Sequence, residues 1–351
     1  MFQFEPKYGE FYKDLTNQIN QYFKENNLSK SGNLLTKIQF FAVWSVLILS
    51  WLVLFVLKPH LWVSIWFYPV IGLCVGNLCL FGHDAVHNTF AKNKFLNKLA
   101  KYSLNFLGGN SDYYYYKHSI HHAYTNILRL DDDVNFRPFL RTNQSDKYHF
   151  WHKFQHFYSI FLYLFVAFFL IFDFSPVSKK VSQNNTKPFT FKKLTKFQTF
   201  LFWFSKIWHI AIFFVIPGLI VGFGWIIGGY LLMMGTCGLY LGFLVQPSHI
   251  FSESIFWDFP ENKTDNEWAK IITSSTANYN TKSGLMTYFS GGMNFHVVHS
   301  LLPHISFVHY PHLNPIVMQT CQKYGFSYNE FPTLRSAVYS HIKQLQKMSK
   351  K

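Results

Sequence analysis

Residues Ile207 to Val245 contain no Asp, Glu, Lys or Arg. A helix crosses the hydrocarbon of a bilayer in about 20 residues, so this segment is twice what one crossing needs. It predicts a hairpin of two spans, 207–222 and 225–245, turning at Gly222-Phe223-Gly224-Trp225 and kinked at Pro217. An earlier pair repeats the pattern. Ile38 to Leu57 is broken only by Gln39, Ser45 and Ser50, and Lys58-Pro59-His60 separates it from Leu61 to Phe81, where Asn77 is the main polar member. Backbone polar groups have no water partners in lipid, so such spans must be helices. The expected fold is all-α: an integral membrane protein with four transmembrane helices in two hairpins (38–57 with 61–81, 207–222 with 225–245), forming one domain over 1–351.

The run 157–172 is ambiguous, because as a helix it would reach only ~24 Å against ~30 Å of hydrocarbon. Charge decides how to read it. Lys92, Lys94, Lys98, Lys101, Lys117, Arg129, Arg137 and Arg141 precede it; Lys179, Lys180, Lys187, Lys192, Lys193, Lys196 and Lys206 follow it with no acid among them in 174–206. Both flanks read as cytoplasmic by their excess of Lys and Arg. The run is therefore expected to be interfacial or re-entrant, leaving 82–156 and 246–351 as a cytoplasmic catalytic region with both termini on that side.

Around these spans, Phe11, Leu15, Ile19 and Phe23 recur at helical spacing and suggest an interfacial helix. Residues 305–351 read as a polar tail ending in a helix from about Thr333. Cys74, Cys79, Cys237 and Cys321 form no CxxC pair and read as buried free thiols. The first residues lack the pattern of a cleaved leader. A net charge of +15 could point to nucleic acid, but no zinc-finger spacing, arginine patch or basic helix accompanies it. Anionic lipid at the cytoplasmic face is the better partner.

Histidine carries the chemistry. His83 and His87 follow the second span; His118, His121 and His122 form a second group; His296 and His299 form a third. Spacings of three and four place imidazoles on one helix face, and the members of each group can share a centre. His249, in Gln246-Pro247-Ser248-His249 after the fourth span, is an eighth candidate. One metal rarely takes more than six ligands, so eight histidines imply two metals. Structural zinc needs only four and commonly uses cysteine. Copper sites often recruit thiolate or thioether, and neither accompanies these histidines. Two irons that bind oxygen fit better, and a membrane setting then implies a lipid substrate attacked at an unactivated C–H bond.

Gly82-His83-Asp84-Ala85-Val86-His87-Asn88, Lys117-His118-Ser119-Ile120-His121-His122, Thr276-Ala277-Asn278 and Gly291-Gly292-Met293-Asn294-Phe295 before His296 together resemble the membrane fatty acid desaturase family. Similarity is strongest to bacterial acyl-CoA or acyl-lipid enzymes related to linoleoyl-CoA front-end desaturases. The resemblance implies a di-iron centre on His83, His87, His118, His121, His122, His249 and His299. It also implies O2 as co-substrate and a cis double bond placed in a fatty acyl chain carried on CoA, a carrier protein or a phospholipid. Asp84, Asn278 and Asp131-Asp132-Asp133 become candidates to orient the ligands, and Lys117 and Arg129 candidates to meet a headgroup.

Two electrons must come from outside. No His-Pro-Gly-Gly haem segment, Rossmann glycine fingerprint or iron–sulfur cysteine set lies in these residues, so a separate ferredoxin or cytochrome b5 type donor is expected. The third box departs from the family pattern, which has Gln, two residues, then His-His. Here His296 replaces the Gln and Ser300 replaces the second His. Three readings follow: His296 supplies the missing ligand, His304 bends back to supply it, or iron is held weakly. A di-iron hydroxylase or ketolase, and a non-catalytic metal-binding membrane protein or transporter, are the alternative functions.

Overall fold

The computed structural model describes residues 3–4, 8–177 and 194–351. The lysines at 179–193 that entered the charge argument lie outside the described residues. Nearly all the described chain is helical, and four helices are long and apolar enough to cross a membrane: Leu34–Leu57, Leu61–Val86, Lys196–Val221 and Phe223–Ser248. They form two adjacent hairpins. Each helix extends beyond the apolar run that marked it, because its ends are polar residues that cap it or project past the hydrocarbon. Asn33 accepts from the Thr36 N–H at the start of the first span, and Thr195 with Gln198 makes a capping box at the start of the third. The hairpin turns at Lys58, with φ +49°, and at Gly222, with φ +93°.

Pro217 does not break the third span. A π-helical turn, Ala211–Val215, lies just before it, and this widened turn accommodates the ring and the missing N–H. Outward-facing Ile48, Leu49, Leu219 and Leu231 stay exposed in the protein alone, as lipid-facing side chains must.

The second and fourth spans form the centre of the bundle. At Gly72 an added Cβ would lie 2.3 Å from the Met233 carbonyl oxygen, and at Gly76 it would lie 2.5 Å from the Tyr240 ring. Small residues thus let the two backbones touch, and dispersion between them replaces the hydrophobic drive that lipid cannot supply. Asn77, the polar residue in the second span, donates to Tyr240 Oη at 2.8 Å and to the Phe289 carbonyl at 3.2 Å. Both spans run back from the outer turns, so their C-terminal ends emerge together.

The ambiguous run is not one straight helix. Phe150–Tyr163 and Val166–Val177 meet at a 62° bend. The fourth span packs on that bend, where a Cβ at Gly238 would sit 2.4 Å from the Tyr163 carbonyl oxygen.

Two expectations need correction. The amino-terminal helix Glu10–Glu25 does bury Phe11, Leu15, Ile19 and Phe23, but its apolar face meets protein. It lies on the helix Tyr310–Tyr324, with Phe11 stacked on Phe326 at 4.6 Å. Amphipathic spacing specifies an apolar surface without saying whether lipid or protein covers it. The region after 305 is likewise no loose polar tail. Leu313, Val317, Cys321, Ala337 and Leu345 are buried, and the strand Asn329–Phe331 pairs in parallel with Ala277–Tyr279. Its last helix, Leu334–Met348, starts from a Thr333–Ser336 capping box. The four cysteines are free and buried, as expected.

Substituting Gly72 by leucine should drive the two central spans apart. A loss of about 1–3 kcal/mol is expected for such overpacking, read as a lower thermal unfolding midpoint in detergent. The same change at Gly224, where nothing lies within 4 Å, should have little effect.

Candidate metal centre

The histidines converge beyond the ends of the second and fourth spans. His83 is in the last turn of Leu61–Val86 and His87 is its C-cap. The helix Ser111–Ala123 starts at Asn110, which accepts from the Tyr113 N–H at 2.8 Å, and carries His118, His121 and His122. His249 ends the turn Gln246–Ser248 that closes the fourth span. His296 and His299 sit on the short helix His296–Leu301. That helix is reached through Gly291 and Gly292, with φ +55° and +78°. At Gly292 a Cβ would come 2.3 Å from the Phe307 Cβ, so only glycine fits this approach.

All eight sequence candidates come together, in two groups. His83, His87, His118, His122 and His299 offer nitrogens within 4.8 Å of one another, and His121, His249 and His296 form a second such group. The second-box histidines therefore do not share one centre, as the spacing suggested. His118 and His122 join the larger group and His121 the smaller.

The donor atoms fit metal. His83 Nε2 and His122 Nε2 lie 2.8 and 2.9 Å from His118 Nε2. His87 Nε2, His122 Nδ1, His296 Nδ1, His299 Nε2 and both nitrogens of His249 are buried without a hydrogen-bond partner among the described residues. A buried unpaired polar atom costs about 1–3 kcal/mol, so this many in one place call for a cation.

The outer nitrogens are held by specific partners. Asp131 faces His121 Nδ1 with both carboxylate oxygens at 2.9 Å. Its oxygens also accept the N–H of Asn126 at 2.9 Å and of Asp133 at 3.0 Å. Tyr310 Oη lies 3.0 Å from His299 Nδ1. Such partners fix the tautomer and turn the other nitrogen toward a metal. Asp131 was among the sequence candidates; Tyr310 was not.

Other candidates have different places. Asp84 accepts from Thr89 Oγ1 at 2.7 Å and Ser306 Oγ at 3.3 Å and bonds no imidazole. Asn278 Oδ1 accepts the Val297 N–H at 2.8 Å and so caps the third-box helix from a distance. Ser300 is buried next to His299 with Oγ unpartnered. His304 is exposed and belongs to neither group. Arg129 pairs with Asp258. Lys117 pairs with Asp133 at 3.5 Å and lines a cavity of about 820 Å³ with Tyr114, Phe136, Phe169, Lys206 and Gln246. Tyr114 stacks on His118 at 5.3 Å, so the cavity opens beside the histidines.

The pattern of the fatty acid desaturase family matches residues 60–332. The chain belongs to that family. It is similar to the sn-1 linoleoyl-lipid 6-desaturase of Synechocystis sp., 28% identical across 99% of this chain and 98% of the relative. The enzyme of the same description from Arthrospira platensis is 25% identical across 97% and 92%. An acyl-lipid (8-3)-desaturase B of Dictyostelium discoideum is 28% identical across 98% and 77%. Family membership and the paired histidine groups make this an oxygen-dependent desaturase of fatty acyl chains, with a site suited to two metals.

Burial sets the protonation of the site. It pushes His87 down to about 4 and His296 down to about 3. It takes His118, His122, His249 and His299 well below the usual imidazole range, and neighbouring rings add to the effect. Burial would lower His121 too, but the charge and hydrogen bond of Asp131 outweigh it and hold the ring above the ordinary value.

Unfolded imidazoles protonate near about pH 6.5. The metal-free protein should therefore keep its full stability above that value. It should lose stability as pH falls from there toward about 4 for His87 and about 3 for His296. His121 works against this trend, one ring against six. A thermal midpoint for apoprotein that is equal at pH 7.5 and pH 5.5 would contradict the assignment. Separately, Asp131→Asn should weaken metal affinity by about 10–100-fold, measured by metal content after dialysis against graded chelator.

Proposed function

We propose that the chain is an acyl-lipid front-end desaturase with a di-iron centre. It would place a cis double bond on the carboxyl side of an existing one. The observation that carries this reading is the convergence of eight histidines, seven of them buried and His87 half-buried, into a group of five and a group of three at one end of the bundle. Iron is favoured over zinc because eight donors exceed the four a structural zinc takes, and over copper because no thiolate or thioether joins the imidazoles. The iron pair, when bound, supplies the oxygen activation that breaks the C–H bonds. The residues' part is to hold, orient and exclude. Five imidazoles would hold one ion, and His121, His249 and His296 the other. Asp131 and Tyr310 would keep His121 and His299 turned inward.

The 820 Å³ cavity is proposed as the acyl site. Phe136, Phe169 and Leu170 give it an apolar wall, and Tyr114 and Gln246 bring it to the histidines. Its charged residues are balanced, Lys117, Arg137 and Lys206 against Asp132, Asp133 and Asp173. That suits a weakly charged lipid headgroup better than the polyanionic CoA, in line with relatives named for lipid-linked acyl chains.

Topology follows from the same convergence. His118, His121 and His122 precede the bent pair Phe150–Val177, and His249 and His296 follow the fourth span, yet all meet. An even number of crossings must separate them. The third and fourth spans supply two, so the bent pair is proposed to be re-entrant. The basic flanks put the centre and both termini on the cytoplasmic side. A ferredoxin or cytochrome b5 type protein is proposed as the electron donor.

Expression in a host fed saturated, mono-unsaturated and di-unsaturated acids, with gas chromatography–mass spectrometry of its lipids, tests the activity. A new double bond in phospholipid or glycolipid acyl chains is expected. A hydroxyl in its place, or a product confined to acyl-CoA, would refute the reading. His296→Ala should abolish the product and lower metal content from roughly two to roughly one per chain, whereas Ser300→His should keep both.

A further inference from the structure

The reaction needs electrons at a centre whose histidines are buried except for the half-buried His87, and the acyl cavity occupies one approach to it. Trp268, at the start of the helix Trp268–Ser275, is 7% exposed. Its indole N–H donates to the carbonyl oxygen of His122 at 3.2 Å. On its outer side Tyr12 meets the indole edge-on at 5.5 Å and Tyr8 at 6.0 Å. The two tyrosines stack on each other at 4.8 Å. Tyr8 is 47% exposed. Glu267 clamps this arrangement, accepting from the Gly9 N–H at 2.9 Å and the Tyr12 N–H at 3.2 Å. None of these residues lines the acyl cavity.

We propose that Tyr8, Tyr12 and Trp268 form the route by which a one-electron carrier protein, docked at Tyr8, reduces the metal centre through His122. The proposal rests on the two-metal reading above.

The route is continuous. Stacked and edge-on rings bridge the surface to Trp268, one hydrogen bond bridges the indole to the His122 carbonyl, and the residue's own bonds lead to an imidazole of the five-histidine group. The rings act as coupling orbitals and hold no radical. Other aromatic contacts to the histidines lead elsewhere. Tyr114 on His118 faces the acyl cavity, and Tyr310 on His299 is buried among core residues.

The balance is complete with the carrier. The acyl chain gives up two hydrogen atoms, which are two protons and one electron pair. Two carrier molecules, each oxidised by one electron, give the second pair. With two protons from solvent, dioxygen leaves as two waters.

The test is anaerobic stopped-flow reduction of the iron-loaded protein, followed by the loss of ferric absorbance without substrate or turnover. Each variant is reduced by whichever of ferredoxin and cytochrome b5 reduces the parent protein, and separately by dithionite. Trp268→Leu should slow carrier-driven reduction at least about tenfold, with metal content and the dithionite rate unchanged. Trp268→Phe keeps a ring but loses the N–H and should fall between. Tyr8→Ser, at the surface, should slow only the carrier and serves if Trp268→Leu does not fold. Carrier-driven rates equal to the parent's would overturn the route. So would equal slowing with both reductants, because that marks a distorted metal site. Absence of a desaturated product with normal reduction would instead sink the acyl-lipid reading and leave the route standing.

Discussion

The nitrogen lone pairs of buried imidazoles govern the rest of this structure. Taken out of water they need a partner, and six nitrogens on five of the eight rings have none among the described residues. A cation is the natural solution, and the two groups together need rings from four separate chain segments at one place. The two central spans make that placement possible. Their glycines bring the spans together, backbone on backbone at Gly72 and backbone on the Tyr240 ring at Gly76, so His83, His87 and His249 leave the bundle side by side. The helices bearing the other boxes then need only short connections to reach them. A bulkier central contact would separate the ligands before it disturbed any histidine directly.

The third box shows how the site tolerates an exchange. Ser300 stands where the family pattern led us to expect histidine, and its hydroxyl is buried and unpartnered. The ring that reaches the smaller group comes from His296, one turn earlier, where that pattern led us to expect glutamine. Backbone geometry supports the swap. Asn278 caps the helix at Val297 and Gly292 fixes its approach, so His296 and His299 are set by the frame and not by their immediate neighbours. His304 lies past Pro303 on the surface and contributes to neither group.

Much of the fold and site was legible in the sequence for a plain physical reason. Uncharged runs of span length have few alternatives to membrane helices, and clustered histidines beside them have few alternatives to metal. The partition of the histidines was less visible. Successive residues on a helix point about 100° apart, so His121 and His122 cannot aim at one point, although each lies at helical spacing from His118. The partner of the amino-terminal helix was hidden because Phe11 and Leu15 announce an apolar face and not what covers it. Trp268 and Tyr310 carry no local signal at all. Their meaning lies in contacts with His122 and His299, which are distant in the chain.

Acyl chain and electrons must both reach one centre, and the routes proposed for them are separate. The acyl cavity arrives past Tyr114, on the His118 side. The aromatic route arrives at the His122 carbonyl, from the surface formed by the amino-terminal helix. Both end at the five-histidine group. The three-histidine group offers fewer protein donors than the five-histidine group. The proposed electron route meets the larger of the two. It also gives the amino-terminal helix a role beyond packing. By clamping Tyr8 and Tyr12 onto Trp268 through Glu267, it links the solvent surface to the metal site.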